Sequence, residues 1–219
     1  MAGGLAEGIT IALPKGRVLD GALALLKKIG FDCQALAETE TNRKLLLSFP
    51  ERHMRFLLLR GSDIPTYVEY GAADMGIVGK DILLEQQKDI YEPLDLKFGF
   101  CRLVVAQPKE CYRAPSALHW SNIKVATKFP RLTEEHFNRK GVQVEIIYLG
   151  GAVELAPLVG LSDLIVDLVQ TGRTLQENGL IEVEEMLQST ARLVVNRASQ
   201  KTKYEPIMQL IQQLRAYLS

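Results

Sequence analysis

The chain has 219 residues, with 26 Lys and Arg against 26 Asp and Glu, so its formal net charge is zero. Hydrophobic residues make up 47% and charged residues 24%, the balance of a soluble globular protein rather than a disordered, collagenous or coiled-coil one. A neutral chain lacks the basic excess of a general nucleic-acid binder, so anionic ligands must be met by locally placed cations.

The first predicted strand is Ile9–Leu13, followed by the turn Pro14-Lys15-Gly16-Arg17. Val18, Leu19, Ala22, Leu23, Leu25, Leu26 and Ile29 then recur at helical spacing, and Gly30 supplies a stop. Leu45–Leu47 and Phe56–Leu59 read as strands. A short helix follows, capped by Ser62 or Asp63, with Pro65 in its first turn and Gly71 at its end. Met75–Val78 is a strand, and a helix begins near Asp81.

In the second half Ile123–Thr127 is a strand, with a helix through Glu134 to Asn138. Val142–Leu149 is a strand, Ala152–Val159 a helix, and Leu164–Val166 a strand that runs into Asp167 and a Thr-Gly turn. The alternation predicts an α/β fold with mainly parallel sheets covered by helices. Residues 100–106 and 190–196 share the string Arg-Leu-Val-Val. If the echo is more than chance, the simplest arrangement is two strands side by side that carry the chain out of one domain and back. A final helix over 204–218 would then pack on the first domain.

Cys33, Cys101 and Cys111 include no C-x-x-C pair, which fits a reducing compartment. The His, Cys and carboxylate spacings match no protein-built metal site. The first eight residues lack a basic, apolar leader, and no apolar run approaches the ~18 residues of a membrane span. A cytoplasmic protein with no membrane partner is expected.

In open α/β sheets ligands bind beyond the carboxyl ends of the strands. The residues placed there are Lys15-Gly16-Arg17, Arg60-Gly61-Ser62-Asp63, Gly79-Lys80-Asp81, Lys128-Phe129-Pro130-Arg131, Gly150-Gly151-Ala152-Val153-Glu154 and Asp167 to Thr174. Nearly every turn holds a glycine, a cation or both, so together they suit a ligand with several phosphates. Taken singly, β-to-α turns are often glycine-rich and polar anyway. G-x-x-x-x-G-K-[ST] and G-x-G-x-x-G are both absent.

The sharpest segment is Asp167-Leu168-Val169-Gln170-Thr171-Gly172-Arg173-Thr174. Hydroxyls and backbone N–H groups of its turn can surround one phosphate, while Asp167 accepts hydrogen bonds from vicinal ribose hydroxyls. The residues alone equally allow Thr171 as a plain helix cap and Asp167 as a loop acid.

With these stretches in view the chain resembles the short form of the ATP phosphoribosyltransferases. The resemblance rests on Ala12 to Arg17, Arg60 to Val68, Gly71 to Gly79, Val125 to Pro130, Gly151 to Pro157 and Asp167 to Leu175, in family order across almost the whole chain. Phe129 stands where Tyr is commoner in the family, a change that removes a hydroxyl.

The resemblance implies two domains like those of type II periplasmic binding proteins, joined by two crossover strands, with the active site in the cleft between them. The domains would be 1–100 plus 191–219, and 101–190. It implies transfer of the phosphoribosyl group of phosphoribosyl pyrophosphate to N1 of ATP, the first step of histidine biosynthesis, with Mg²⁺ held mainly by substrate phosphates. Asp167, Gln170, Thr171, Gly172, Arg173 and Thr174, with Glu154, match the phosphoribose side. Lys15, Arg17 and Arg60 match the catalytic cations, and Gly16, Asp74, Gly76 and Lys128 the ATP side. Long forms of the family continue into a histidine-binding C-terminal domain that this sequence does not show. The expected assemblies are therefore a homodimer alone and a hetero-oligomer with a regulatory subunit similar to histidyl-tRNA synthetase.

The residues agree with that chemistry. Adenine N1 carries a free lone pair, so no base is needed, and the sequence offers no triad or catalytic histidine. Charge on the departing pyrophosphate calls for cations, for which Arg43 and Lys80 are further candidates. The competing reading is a non-catalytic solute-binding module on the same scaffold.

Overall fold

The computed structural model describes residues 8–37, 44–111 and 123–218. The chain divides into two compact units, one of residues 1–99 and 190–219 and the other of residues 100–189.

The first unit is built on a six-stranded sheet in the order β2-β3-β1-β4-β11-β5. Its strands are β1 (Ile9–Pro14), β2 (Leu46–Phe49), β3 (Met54–Leu59), β4 (Met75–Gly79), β5 (Tyr91–Asp95) and β11 (Ala191–Val195). β1 is parallel to β3 and β4, whereas β11 is antiparallel to both β4 and β5. β1 is buried along its whole length because both of its faces are covered. Ile11 and Leu13 join one core with Leu19, Leu25 and Leu26 of α1 (Arg17–Lys28). Ala12, one step out of phase, joins the opposite core with Ile64 and Val68 of α3 (Ile64–Glu69). The chain also forms α2 (Gln34–Ala37) and α4 (Lys80–Gln86).

The carboxyl-terminal segment completes this unit. α7 (Arg197–Thr202) and α8 (Tyr204–Ala216) follow β11, and Ile207, Leu210, Ile211 and Leu214 of α8 are buried in the β1 core. The last helix packs on the first unit, as its place in the sequence leads one to expect. The expected side-chain cap of α3 is not formed. Asp63 precedes the helix without capping it, and Ser62 Oγ donates to Asp63 Oδ1 at 3.1 Å instead.

The second unit is a five-stranded sheet in the order β10-β6-β9-β7-β8. Its strands are β6 (Cys101–Pro108), β7 (Ile123–Thr127), β8 (Val144–Tyr148), β9 (Leu164–Val169) and β10 (Leu180–Ser189), with helices α5 (Pro130–Arg139) and α6 (Arg173–Glu177). β7 is parallel to β8 and β9, while β6 is antiparallel to β9 and β10. The helix expected over Ala152–Val159 is only one 3-10 turn, Val153–Leu155. Pro157 has no N–H to return to the carbonyl four residues earlier, and Ala152 enters with φ 48°.

The two Arg-Leu-Val-Val segments are not neighbours. β6 lies between β10 and β9 in one sheet, and β11 between β4 and β5 in the other. The side-by-side runs pair different partners: Cys101 with Ser189 in the second unit, and Phe98 with Ala191 in the first, where the Ala191 N–H donates to the Phe98 carbonyl at 2.8 Å. The echo reflects two buried central strands with the same demand for β-branched and apolar residues.

Candidate active site

In the second unit, parallel pairing brings the carboxyl ends of β7, β8 and β9 to one edge. Thr127 is in register with both Tyr148 and Val166. Lys128, Gly150-Gly151 and Asp167 therefore follow three adjacent strand positions. Thr127 ties the edge together. Its Oγ1 donates to the Val166 carbonyl at 2.8 Å and accepts from the Phe129 N–H at 2.9 Å, and its own carbonyl accepts from the Leu149 N–H at 3.0 Å. Phe129 itself is buried, and its carbonyl accepts from Thr133 Oγ1 at 2.7 Å.

Asp167 is half-buried, with β9 running two residues beyond it. Its Oδ1 accepts from the Leu168 N–H at 2.8 Å. Burial pushes its carboxyl above the ordinary range. The Leu168 N–H and the Lys128 ammonium oppose that rise, and the Glu154 carboxylate adds to it. Such a carboxylate gains from hydroxyl donors supplied by a ligand.

The turn after β9 places Gly172 at φ 78°, a left-handed conformation that favours glycine, and α6 opens at Arg173. The residue at the helix start is Gly172, with no side-chain cap, so Thr171 is not the cap that the residues alone allowed. Thr171, Arg173 and Thr174 are exposed on this turn, as is Gln170. Glu154 is half-buried in the 3-10 turn after Gly150-Gly151.

In the first unit β1, β3 and β4 are parallel, and Pro14 pairs with Leu59. The Lys15 N–H donates to the Leu59 carbonyl at 2.9 Å, fixing the turns after β1 and β3 side by side. Gly16 precedes α1 at φ 79°, with open space where a Cβ would stand. Lys15, Arg17 and Arg60 are exposed at this edge. Lys15 and Arg60 enter no ion pair among the described residues. Lys80 is committed to Glu92, 2.6 Å away. Arg43 lies outside the described residues.

Two predicted ATP-side residues are placed elsewhere. Asp74 precedes β4 at its amino end, roughly 17 Å from Gly79 at about 3.3 Å per strand residue. It is 5% exposed. Its carboxylate accepts from the Thr10 N–H at 2.8 Å, Ser199 Oγ at 2.6 Å and Lys203 Nζ at 2.9 Å. It ties α7 and the residue before α8 to the sheet. Gly76 is buried inside β4, where a Cβ would come 2.6 Å from Ile64 Cγ2 and 3.0 Å from Val68 Cγ2. The absent side chain admits α3 against the sheet.

A cavity of about 540 Å³ in the first unit is lined by Ile9, Phe31, Arg52, His53, Met54 and residues of α8. It opens at the amino ends of β1 and β3, the edge opposite Lys15 and Arg60. No group of three His, Cys, Asp or Glu among the described residues could hold a metal ion. No helix there is long and apolar enough to cross a membrane. The site residue that sequence reasoning missed is Thr127. A threonine closing an apolar strand carries no signal until its partner at Val166 is known.

The family model for ATP phosphoribosyltransferase matches residues 60–216. An ATP phosphoribosyltransferase of Citrifermentans bemidjiense is 56% identical over 210 residues, 96% of this chain and 98% of that protein. The ATP phosphoribosyl transferase (HisG:HisZ) complex from Thermotoga maritima contains a chain that superposes with a TM-score of 0.80 at 34% identity, covering 96% of this chain and 98% of that one. The periplasmic aliphatic sulphonate binding protein SsuA of Escherichia coli is 15% identical, with a TM-score of 0.61 over 95% of this chain and 67% of its own, a likeness of fold. With a family model over most of its length and relatives above half identity across nearly all of it, the chain belongs to the ATP phosphoribosyltransferase family.

Proposed function

We propose that the chain transfers the 5-phosphoribosyl group of phosphoribosyl pyrophosphate to N1 of ATP, releasing pyrophosphate, as the first step of histidine biosynthesis. Family membership supports the reaction. The observation that carries the site assignment is the common edge of Lys128, Asp167 and the Thr171–Thr174 turn. The turn takes the 5-phosphate through the Thr171 and Thr174 hydroxyls and the Arg173 guanidinium. Asp167 accepts from the ribose hydroxyls. The cations Lys15, Arg17 and Arg60, with Gly16 opening the backbone, take pyrophosphate and ATP phosphates, and Lys128 lies beside Asp167.

In the reaction the N1 lone pair forms a bond to the anomeric carbon as that carbon's bond to pyrophosphate oxygen breaks. The electron pair leaves with pyrophosphate, and no proton moves. The protein's work is to position two anions and to stabilise the departing charge. Mg²⁺, when bound, neutralises phosphate oxygens. The carboxylates at the second-unit edge, Asp167 and Glu154, are the hard oxygen groups that suit it as companions to substrate phosphates.

A hetero-oligomer with a HisZ-type regulatory subunit is supported by the Thermotoga maritima complex. We assign the isolated chain as a homodimer with weak response to histidine, and the partner as the source of feedback. A histidine titration with and without the partner distinguishes the two states, and strong non-competitive inhibition of the isolated chain overturns that assignment. For the reaction itself, pyrophosphate release is measured with both substrates and with each alone. Release only with both supports the proposal, and binding without turnover favours a solute-binding module. The Thr171→Ala/Thr174→Ala variant is expected to weaken phosphoribosyl pyrophosphate binding at least about tenfold, through loss of two hydrogen bonds to a charged group. Unchanged binding removes the turn from the site.

A further inference from the structure

A carboxylate lies beside the turn that carries Thr171 and Thr174. The nearest atom to the space where a Gly172 side chain would begin is Glu182 Oε1, at 3.4 Å, followed by Val169 Cγ1 at 3.9 Å. A carboxylate this close to an anion-binding turn opposes the ligand's charge. Arg102 cancels it. The Arg102 guanidinium holds Glu182 in a two-point fork, Nη1 to Oε2 at 2.8 Å and Nη2 to Oε1 at 3.0 Å. The same Nη1 lies 3.3 Å from Glu185 Oε2, and Glu185 Oε1 in turn accepts from Gln188 Nε2 at 2.9 Å.

The three charged residues come from two strands. Arg102 stands on β6, in register with Val169 at the end of β9, one residue before the turn begins. Glu182 and Glu185 stand on β10, where the ladder is irregular between Glu182 and Glu184 and again between Glu185 and Leu187. Such irregularities re-aim side chains at sheet edges. Here they accompany two carboxylates gathered on one guanidinium, whose planar fork fixes orientation as well as charge. Both members of the fork remain partly exposed, with side chains 26% and 33% accessible, so their effect on a ligand is electrostatic and local rather than a matter of fold stability.

We propose that Arg102 and Glu182 are a positioning pair for the phosphate turn, in which Glu182 supports Gly172 from behind and Arg102 both orients that carboxylate and removes its repulsion of the bound phosphate. This rests on the reading of Thr171–Thr174 as the 5-phosphate site. The consequence is an asymmetry between the partners. Without Arg102 an uncompensated carboxylate stands behind the phosphate. Without the charge of Glu182 the cation remains, still steadied by Glu185.

The test is steady-state kinetics on Arg102→Met, Arg102→Lys, Glu182→Gln and the double variant Arg102→Met/Glu182→Gln, with thermal melting on each. Arg102→Met is expected to raise KM for phosphoribosyl pyrophosphate about tenfold, with kcat and KM for ATP within about twofold of the parent. Arg102→Lys recovers part of that loss. Glu182→Gln leaves this KM unchanged or lowers it, and the double variant returns toward the parent. An unchanged KM in Arg102→Met overturns the proposal. So does an equal rise in both single variants without recovery in the double, which is the pattern of a merely structural bridge. Should Arg102→Met not fold, Arg102→Lys and Glu182→Gln still carry the opposite-direction test. The Thr171→Ala/Thr174→Ala variant separates the two levels. If it leaves this KM unchanged, the phosphate-turn reading fails. If it raises KM while Arg102→Met does not, only the positioning pair fails.

Discussion

Thr127 Oγ1 donates 2.8 Å to the carbonyl of Val166, the residue immediately before Asp167. The bond joins β7 to β9 at the point where both strands deliver their polar residues. The same oxygen accepts from Phe129 N–H, so one buried hydroxyl holds Lys128 and Asp167 to one geometry. Thr127→Val keeps the shape and removes both bonds. It is expected to cost about 1–3 kcal/mol in chemical denaturation, because a buried carbonyl and N–H lose their partner. KM for phosphoribosyl pyrophosphate should rise more than KM for ATP.

Asp167 gives the acid side of the pH profile. Its folded carboxyl lies above the ordinary range because burial and then Glu154 outweigh the Leu168 N–H and Lys128. A raised carboxyl pKa disfavours the ionised form, so this group's share of stability falls as pH rises from the ordinary value of 3.8 through the folded value. Binding runs the other way, since ribose hydroxyls need the ionised acceptor, and affinity is lost as pH falls through the raised pKa. Asp167→Asn should weaken phosphoribosyl pyrophosphate binding and flatten this limb, as measured by KM against pH beside the parent. A limb unchanged in the variant assigns it to another group.

Asp74 is expected to matter for folding rather than for ATP. Asp74→Asn leaves Lys203 without its carboxylate and weakens two further bonds. A loss of about 3 kcal/mol is expected in equilibrium unfolding. The folded fraction should keep KM for ATP within about twofold. A selective rise in that KM without loss of stability would return Asp74 to the site.

Arg17 is the first residue of α1, exposed at the edge that also carries Lys15 and Arg60. Arg17→Ala should lower kcat/KM at least about tenfold while leaving the melting temperature near that of the parent, since a guanidinium on phosphate is a strong, directional contact. Parent-like kinetics would make it a surface charge.

Much of this arrangement was legible in the sequence. The apolar runs of β1, β4, β7 and β9, buried on both faces, announced themselves, and so did the turns that follow them. What was not legible depends on long-range partners. Asp74 sits in a stretch shared with the family, and only the bonds to Thr10, Ser199 and Lys203 show that its carboxylate is consumed. The helix expected over Ala152–Val159 failed for a local reason, since its apolar spacing was right but Pro157 interrupts the ladder. Thr127, Arg102 and Glu182 are common residue types on strands, and they acquire meaning only through register.

The discontinuity of the first unit orders events during synthesis. β11 lies between β4 and β5, so a nascent chain that has emerged only as far as β5 holds a sheet with a missing interior strand. β4 then presents an unpaired edge, β5 has lost the strand it pairs with, and the core of β1 lacks the cover of α8. The unit of residues 100–189 is continuous in the chain and can close before that strand emerges from the ribosome. The second unit should therefore resist protease earlier on the ribosome than the first, inverting the usual order in which amino-terminal domains fold first. Pulse proteolysis of stalled chains whose emerged portion ends before or after β11 reads this directly, with protection of the amino-terminal unit appearing only once the returning strand has emerged.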